Sequence, residues 1–339
     1  MTIRKIAAQA GVAASTVSLV LNNKPGVKKE TREKIEELLL EHGYSIRKKS
    51  ETAFNDREIK FVRYFSPKFR SEYTEDFYSG MLMGAERRAH ELGLRFGLSS
   101  VTLDQLPHTL RSIEKRSDLT GVLFLASELT EEPIPYLLNF SRPIVMIDMP
   151  YQLEHHPFNT INMDNYGGIS TAVHHLYTMG HRRIGFLRST FGTGGLLSRY
   201  VAFCQIMQAL NLEVHPEHIV QLDPWYEVAK GQMAEYLKNQ PSLPTAFVAA
   251  NDALAAGGIY ALQQSGVRVP EDVSVIGYDD GTASSFVFPP LTTLHVNRTR
   301  IGELAVERLL SLFTTPDDAV VKSTVSVSLV ERESIRDIR

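Results

Sequence analysis

From residue 59 onward, short apolar runs alternate with amphipathic segments at helical spacing. The runs 59–65, 94–101, 121–125, 143–147, 160–163, 183–187, 219–222, 246–249 and 273–276 have the length and bulk of strands. Helical patterns lie between many of them, at 77–92, 169–179, 198–210, 228–238 and 253–265. This alternation predicts α/β architecture with parallel sheets wrapped by helices. The strands divide more readily into two doubly wound lobes than into one very wide sheet. Ligands in such folds sit where loops leave the carboxyl ends of strands, so a cleft between the lobes is the expected site.

The first 44 residues follow a different rhythm and read as three short helices. Thr2 is placed to cap the first, which runs to about Ala10 and stops at Gly11. The second begins near Ala13 and Ala14 and ends at Asn22 and Asn23, ahead of Pro25 and Gly26; the third spans about Lys29 to Glu41. Ile6, Ala10, Val12, Val17, Val20, Leu21, Val27, Ile35, Leu38 and Leu39 can close one small core. Val17, Val20 and Leu21 follow the i, i+3, i+4 rule of a buried helix face, which turns Ser15, Ser18, Leu19 and Asn22 outward. A helix, a tight glycine turn and a second helix with a small polar outer face fit a DNA major groove. Ser and Asn hydrogen-bond base edges or phosphates, and Leu19 suits a thymine methyl. On this pattern alone an ordinary helical hairpin is the alternative. Residues 45–58 are mostly polar and read as a linker. The expected division is a helix-turn-helix domain at 1–45, a linker or hinge at 46–58 and a ligand-binding domain at 59–339.

Charge sharpens this picture. The net charge of −3 conceals a segment up to Lys49 with ten Lys and Arg against five Glu. A basic head on an acidic body suits a reader that approaches phosphates while the body stays off them. The start Met1-Thr2-Ile3-Arg4-Lys5 is followed by no apolar signal segment, and no apolar run reaches membrane-spanning length, so a cytoplasmic location is expected. Cys204 is the only cysteine and reads as a buried small hydrophobe.

The string Ala10-Gly11-Val12, Thr16-Val17-Ser18 and Val20-Leu21-Asn22, followed by Val27, Thr31-Arg32 and Gly43-Tyr44, resembles the LacI/GalR family of transcriptional regulators. The resemblance continues through Gly121-Val122-Leu123, Pro143 to Asp148, Asp164-Asn165, Gly180 to Phe186, Arg199, Asn251-Asp252, Val275 to Asp280, Pro290 to Thr293 and the stretch through Gly302 and Leu309-Leu310. It implies a homodimer of bodies resembling periplasmic sugar-binding proteins. Lobe one would comprise about 59–161 and 291–323, and lobe two about 162–290 and 324–339. A ligand would change the lobe angle, and with it the spacing of two DNA heads, through differential affinity for two states. The implied function is a sequence-specific regulator, most simply a repressor of carbohydrate-utilisation genes that binds double-stranded operator DNA. DNA contacts would come from Thr2, Ala14, Ser15, Thr16, Ser18, Leu19, Asn22, Lys28, Thr31, Arg47 and Lys48.

For the effector, the family's positions fall on Asp148, Arg199, Asn251 and Asp279, a set suited to a polyol: carboxylates accept from hydroxyls, Arg and Asn donate. Trp225, the single tryptophan, lies where the family often stacks an aromatic on a sugar ring; a half-buried surface anchor is the other reading. Phe77 and Met163 are expected to line the pocket. The Asp279-Asp280 pair also admits a turn or a cation site.

Three departures modify the inference. The family usually follows Gly-Tyr with Pro-Asn, Ala-Arg and a Leu that wedges into the minor groove. Here Ser45-Ile46-Arg47-Lys48-Lys49 follow, and the Leu position falls on Ala53 beside Phe54. Either Phe54 substitutes or the basic residues contact phosphates alone. Leu19 stands where Arg is common, which removes a bidentate guanine contact. Arg298 stands where some members place an aromatic; it either adds a cation selecting a phosphorylated or acidic sugar or faces solvent at a helix start.

No metal and no cofactor is expected. The histidines His155-His156, His174-His175 and His181 raise the question of a metal, but His174 and His175 would point about 100° apart on a helix and cannot easily share one ion. Gly192-Thr193-Gly194-Gly195 lacks the Lys-Ser/Thr of a phosphate loop and reads as a mobile loop at the cleft mouth. An enzyme is disfavoured for want of a nucleophile elbow or cofactor loop, and a sugar-binding receptor by the basic head. The resemblance also admits a protein coregulator, because some members bind a phosphorylated carrier protein.

Overall fold

The computed structural model describes residues 2–21, 26–42, 44, 57–66, 75–191, 194–239, 242–315 and 319–339. The chain forms two compact units, Met1–Asn55 and Asp56–Arg339.

The first unit holds α1 (Ile3–Ala10), α2 (Ala14–Leu21) and α3 (Lys29–Glu41). Gly11 ends α1 at φ 73°, a left-handed turn natural to glycine, and its N–H caps the Ala7 and Ala8 carbonyls. Thr2 has extended N-cap backbone, but its hydroxyl accepts no cap hydrogen bond, contrary to the expected capping role. Ile6, Ala7, Ala10, Val17, Val20, Ile35 and Leu39 are buried together, with Val12, Leu21, Val27, Leu38, Ile3 and Tyr44 packed against them.

Among the described residues, the second unit contains three sheets. One is six-stranded, built from β1 (Glu58–Tyr64), β2 (Arg95–Val101), β3 (Leu119–Leu125), β4 (Ile144–Ile147), β5 (Asn159–Met163) and β11 (Lys322–Val325) in the order β11-β5-β4-β3-β1-β2. All its pairings are parallel. Central β3 is buried along its whole length, as its near-continuous apolar run requires for a sheet covered on both faces. The second lobe's sheet takes β6 (Ile184–Ser189), β7 (Ile219–Leu222), β8 (Ala246–Ala249) and β9 (Ser274–Ile276) in the order β7-β6-β8-β9. The third sheet pairs β10 (Thr293–Val296) antiparallel with β12 (Val327–Val330).

Helices complete the layers: α4 (Glu75–Glu91), α5 (Leu106–Glu114), α6 (Ile134–Leu138), α7 (Asn165–Thr178), α8 (Gly194–Ala209), α9 (Tyr226–Lys238), α10 (Asp252–Gln264) and α11 (Arg298–Thr314). The α4–α11 contact depends on glycine, because a Cβ on Gly302 would collide with the Met81 carbonyl and one on Gly84 with the Thr299 carbonyl.

The return to the first lobe comes later than 291. Strand β10 runs beside the segment that follows β9, with Gly277 N–H donating to Thr292 O and Asp279 N–H to Leu294 O, both at 2.9 Å. Thr293–Val296 therefore belongs with the second lobe, and the chain crosses at Asn297, which caps α11. Cys204, expected in the core, is half-buried on α8. Among the described residues no helix is long and apolar enough to cross a membrane.

Candidate functional site

In the first unit, the outer face of α2 presents Ala14, Ser15 and Ser18 to solvent, with Thr16 half-buried. Leu19 is half-buried rather than fully outward. Thr2 is exposed ahead of α1, Lys28 is exposed ahead of α3, and Thr31 is half-buried in the first turn of α3. These placements give one short helix a small, polar, exposed surface over a packed core, which is what a groove-reading helix needs. Asn22, Arg47, Lys48, Ala53 and Phe54 lie outside the described residues.

In the second unit, one cavity of about 510 Å³ collects every expected effector residue: Phe77, Asp148, Met163, Arg199, Trp225, Asn251, Asp279 and Arg298. The fold explains the convergence. Asp148 follows the carboxyl end of β4, Met163 ends β5, Asn251 follows β8, and Asp279 follows β9. Arg199 comes from α8, Trp225 immediately precedes α9, Phe77 lies on α4 and Arg298 opens α11. Gly194 and Gly195 begin α8 and also line the cavity; Gly192 and Thr193 lie outside the described residues.

Three aspartates at strand ends adopt positive φ: Asp148 at 55°, Asp279 at 112° and Asp280 at 50°. Such backbone costs about 1–3 kcal/mol per residue and tends to cluster at ligand sites. Asp148 is buried and accepts from Ser127 Oγ at 2.5 Å. Arg199 is buried, donating to Ala250 O at 2.6 Å and Asn165 Oδ1 at 2.9 Å, with Met163 Sδ at 3.0 Å. Asn251 caps α10 by accepting from Leu254 N–H at 2.9 Å, which commits its oxygen to the helix and leaves its amide nitrogen as the donor. Arg298 is half-buried rather than turned out to solvent; it reaches the Asp280 carbonyl at 3.3 Å and lies 5.8 Å from the Phe77 ring centre. Asp280 itself is bound by Arg332 at 2.7 Å and His295 at 3.0 Å, which accounts for it as a structural anchor.

The cavity's carboxyls share one tendency. Burial pushes Asp279 up to about 6, against the opposing pull of Arg199 and Arg298. Asp252 rises to about 7, chiefly through burial and then through the negative charge of Asp279. Burial also raises Asp148 and Glu128.

Sequence reasoning missed Tyr78, Ser127, Glu128 and Asp252, all of which line the cavity. Ser127 and Glu128 follow β3 as Asp148 follows β4, so the carboxyl-end rule would have reached them. Asp252 accepts from Thr293 Oγ1 at 2.5 Å and Gly281 N–H at 2.8 Å, tying α10 to the loop that carries Asp279. Aromatic rings also line the cavity: Phe191 packs edge-on against Trp225 with centroids 5.0 Å apart. Directed acceptors and donors together with aromatic rings in one cavity suit a small molecule with many hydroxyls and an apolar C–H face.

Comparison with known proteins agrees with both units. Residues 2–46 match the family described as bacterial regulatory proteins, lacI family, and residues 173–335 match the periplasmic binding protein-like domain. The HTH-type transcriptional repressor PurR of Haemophilus influenzae (strain Rd) is 31% identical, over 99% of this chain and 99% of its own. The HTH-type transcriptional regulator CelR of Thermobifida fusca is 27% identical over 98% of each chain. Among solved structures, a complex of the regulator CelR with cellobiose matches with a TM-score of 0.72 at 27% identity, covering 98% of this chain and 99% of the other. A lac repressor dimer bound to operator and the anti-inducer ONPF matches with a TM-score of 0.70 at 25% identity, covering 99% of each. With a helix-turn-helix unit in its first 55 residues and a two-lobed cleft in the second unit, the chain belongs to the LacI family of bacterial regulatory proteins, and it is a DNA-binding transcriptional regulator rather than an enzyme.

Proposed function

We propose that this regulator represses carbohydrate-utilisation genes as a homodimer on operator DNA and is gated by a sugar or sugar phosphate held between its lobes. One observation carries the reading: hydrogen-bonding groups from both lobes, Asp148 from the first and Arg199, Asn251 and Asp279 from the second, line a single cavity together with aromatic rings. A ligand touching both lobes binds one lobe arrangement better than another, and that difference is the free energy available to change DNA affinity. The cellobiose of the CelR complex makes β-linked glucosides the first compounds to try. Arg298 extends the choice to phosphorylated sugars, since a guanidinium at the cavity wall offers a forked donor to a phosphate. DNA would be read by Ala14, Ser15, Thr16, Ser18 and Leu19, with Thr2, Lys28 and Thr31 on the phosphates.

The test is calorimetric titration of the full chain with a sugar panel that includes cellobiose and hexose phosphates, repeated with Asp279→Ala. Saturable binding lost in the variant supports the assignment. Binding that survives Asp279→Ala unchanged places the effector elsewhere.

A further inference from the structure

We propose that Glu131, His155 and His156 form a binding site for a divalent transition-metal ion of the zinc type. Among the described residues, these three place one ligand atom each within 4.8 Å of one another. Glu131 lies on the connection that follows β3, while His155 and His156 lie on the connection that follows β4. The site thus joins two loops that leave the same edge of one sheet.

The geometry goes beyond proximity. His156 Nε2 lies 3.0 Å from Glu131 Oε2. Two ligands each about 2.0–2.1 Å from one tetrahedral ion stand roughly 3.3 Å apart, close to that separation. The neighbouring imidazole is already oriented: His155 Nδ1 lies 2.9 Å from the Gln152 carbonyl. With its proton on Nδ1, His155 presents the Nε2 lone pair, the arrangement that a backbone carbonyl imposes on metal-binding histidines. The two rings lie 4.0 Å apart at 38°, so this adjacent pair shares one side of the turn, unlike neighbours on a helix. The turn is braced by its backbone: His156 N–H donates to Leu153 O at 3.0 Å and Phe158 N–H to His156 O at 2.9 Å, with Leu153 and Phe158 buried beneath.

The donor set selects the ion. Two imidazole nitrogens and one carboxylate suit Zn²⁺, Ni²⁺ or Cu²⁺, whereas Mg²⁺ and Ca²⁺ favour all-oxygen shells. Three protein ligands leave a further position for water. The same two connections carry Ser127 and Asp148, whose side chains meet at 2.5 Å on the cleft wall. An ion at Glu131, His155 and His156 would pin those two connections to each other beyond Ser127 and Asp148 in the chain.

The test uses the tag-free, metal-stripped full chain, titrated with Zn²⁺ by calorimetry and with Co²⁺ by visible absorption. Saturable uptake of a single ion per chain is expected. Glu131→Gln, His155→Ala and His156→Ala should each weaken it at least tenfold, with thermal melts confirming that the variants fold. His215→Ala should leave it unchanged, although that imidazole also lies near two carboxylates, Glu213 and Glu217. No uptake would reduce the cluster to an ordinary surface ion pair and overturn the proposal. Uptake that persists in Glu131→Gln and His156→Ala would overturn it equally.

Discussion

Arg199 and Asp279 form a largely buried ion pair, with Nη1 3.1 Å from Oδ1. They are near in charge but poorly aligned for a hydrogen bond, so among the described residues Oδ1 accepts none. The guanidinium is held from other sides, 3.6 Å from the Tyr278 ring centre and bonded to Ala250 O. That oxygen is shut off from solvent, so the guanidinium's charge is its compensation inside the chain, while the residue itself lines the cavity.

Removing the arginine leaves a buried carboxylate without its counter-charge. Arg199→Ala is expected to destabilise the body by about 3–5 kcal/mol, the usual cost of breaking a buried pair. Arg199→Lys should rescue little, since an ammonium lacks both the planar face over Tyr278 and the forked donors. Urea melts of the three proteins check this.

The buried acids set a pH dependence. Asp252 and Asp279 titrate at about 7 and about 6 in the folded chain, against an ordinary value of 3.8. The native state therefore holds protons that the unfolded state has released. The stability these groups contribute is fully present below pH 3.8 and is lost as pH rises through 6 and 7. Each contributes a slope of at most about 1.4 kcal/mol per pH unit. Asp252→Asn, which keeps the shape and a carbonyl for Gly281 N–H, should flatten the profile between pH 5 and 7; chemical denaturation across that window is the measurement.

Trp225 is the only tryptophan and lines the cavity, so its fluorescence should report effector binding directly. Trp225→Phe is expected to keep affinity within a few-fold. Trp225→Ala should weaken binding at least tenfold and cost about 3–5 kcal/mol of stability for a large buried aromatic. Calorimetry separates the two effects.

Lys28 stands exposed just before α3. If it contacts a phosphate, Lys28→Ala should lower the slope of log K against log salt by about 0.9 per head while leaving sequence preference intact. Leu19→Arg should instead change which base is preferred at one step of each half-site. Anisotropy titrations over a salt series, with single-base operator variants, distinguish these outcomes.

Much of the architecture was legible because its signals are local. Gly11 marks its turn through a conformation that L side chains rarely adopt, and the apolar run of β3 is visible without any partner. Strands β10, β11 and β12 are not legible as apolar runs because they interleave polar with apolar residues, as in Thr293-Leu294-His295-Val296 and Lys322-Ser323-Thr324-Val325, and β11 and β12 hold only exposed and half-buried positions. Family resemblance supplied Asp148, Arg199, Asn251 and Asp279. It did not supply Asp252, whose role arises from contacts to Gly281 and Thr293 that are distant in sequence. Nor did the sequence decide whether Arg298 faces the cleft, since that depends on where α11 crosses beneath Phe77.

The most direct test joins the two units in one experiment. A sugar first shown to change Trp225 fluorescence is added to the full chain during an anisotropy titration with operator DNA, in the wild type and in Asp279→Ala. Release of DNA at sugar concentrations matching the fluorescence change, absent in the variant, is the predicted result. A sugar that saturates the cleft and leaves DNA affinity unchanged would contradict the account.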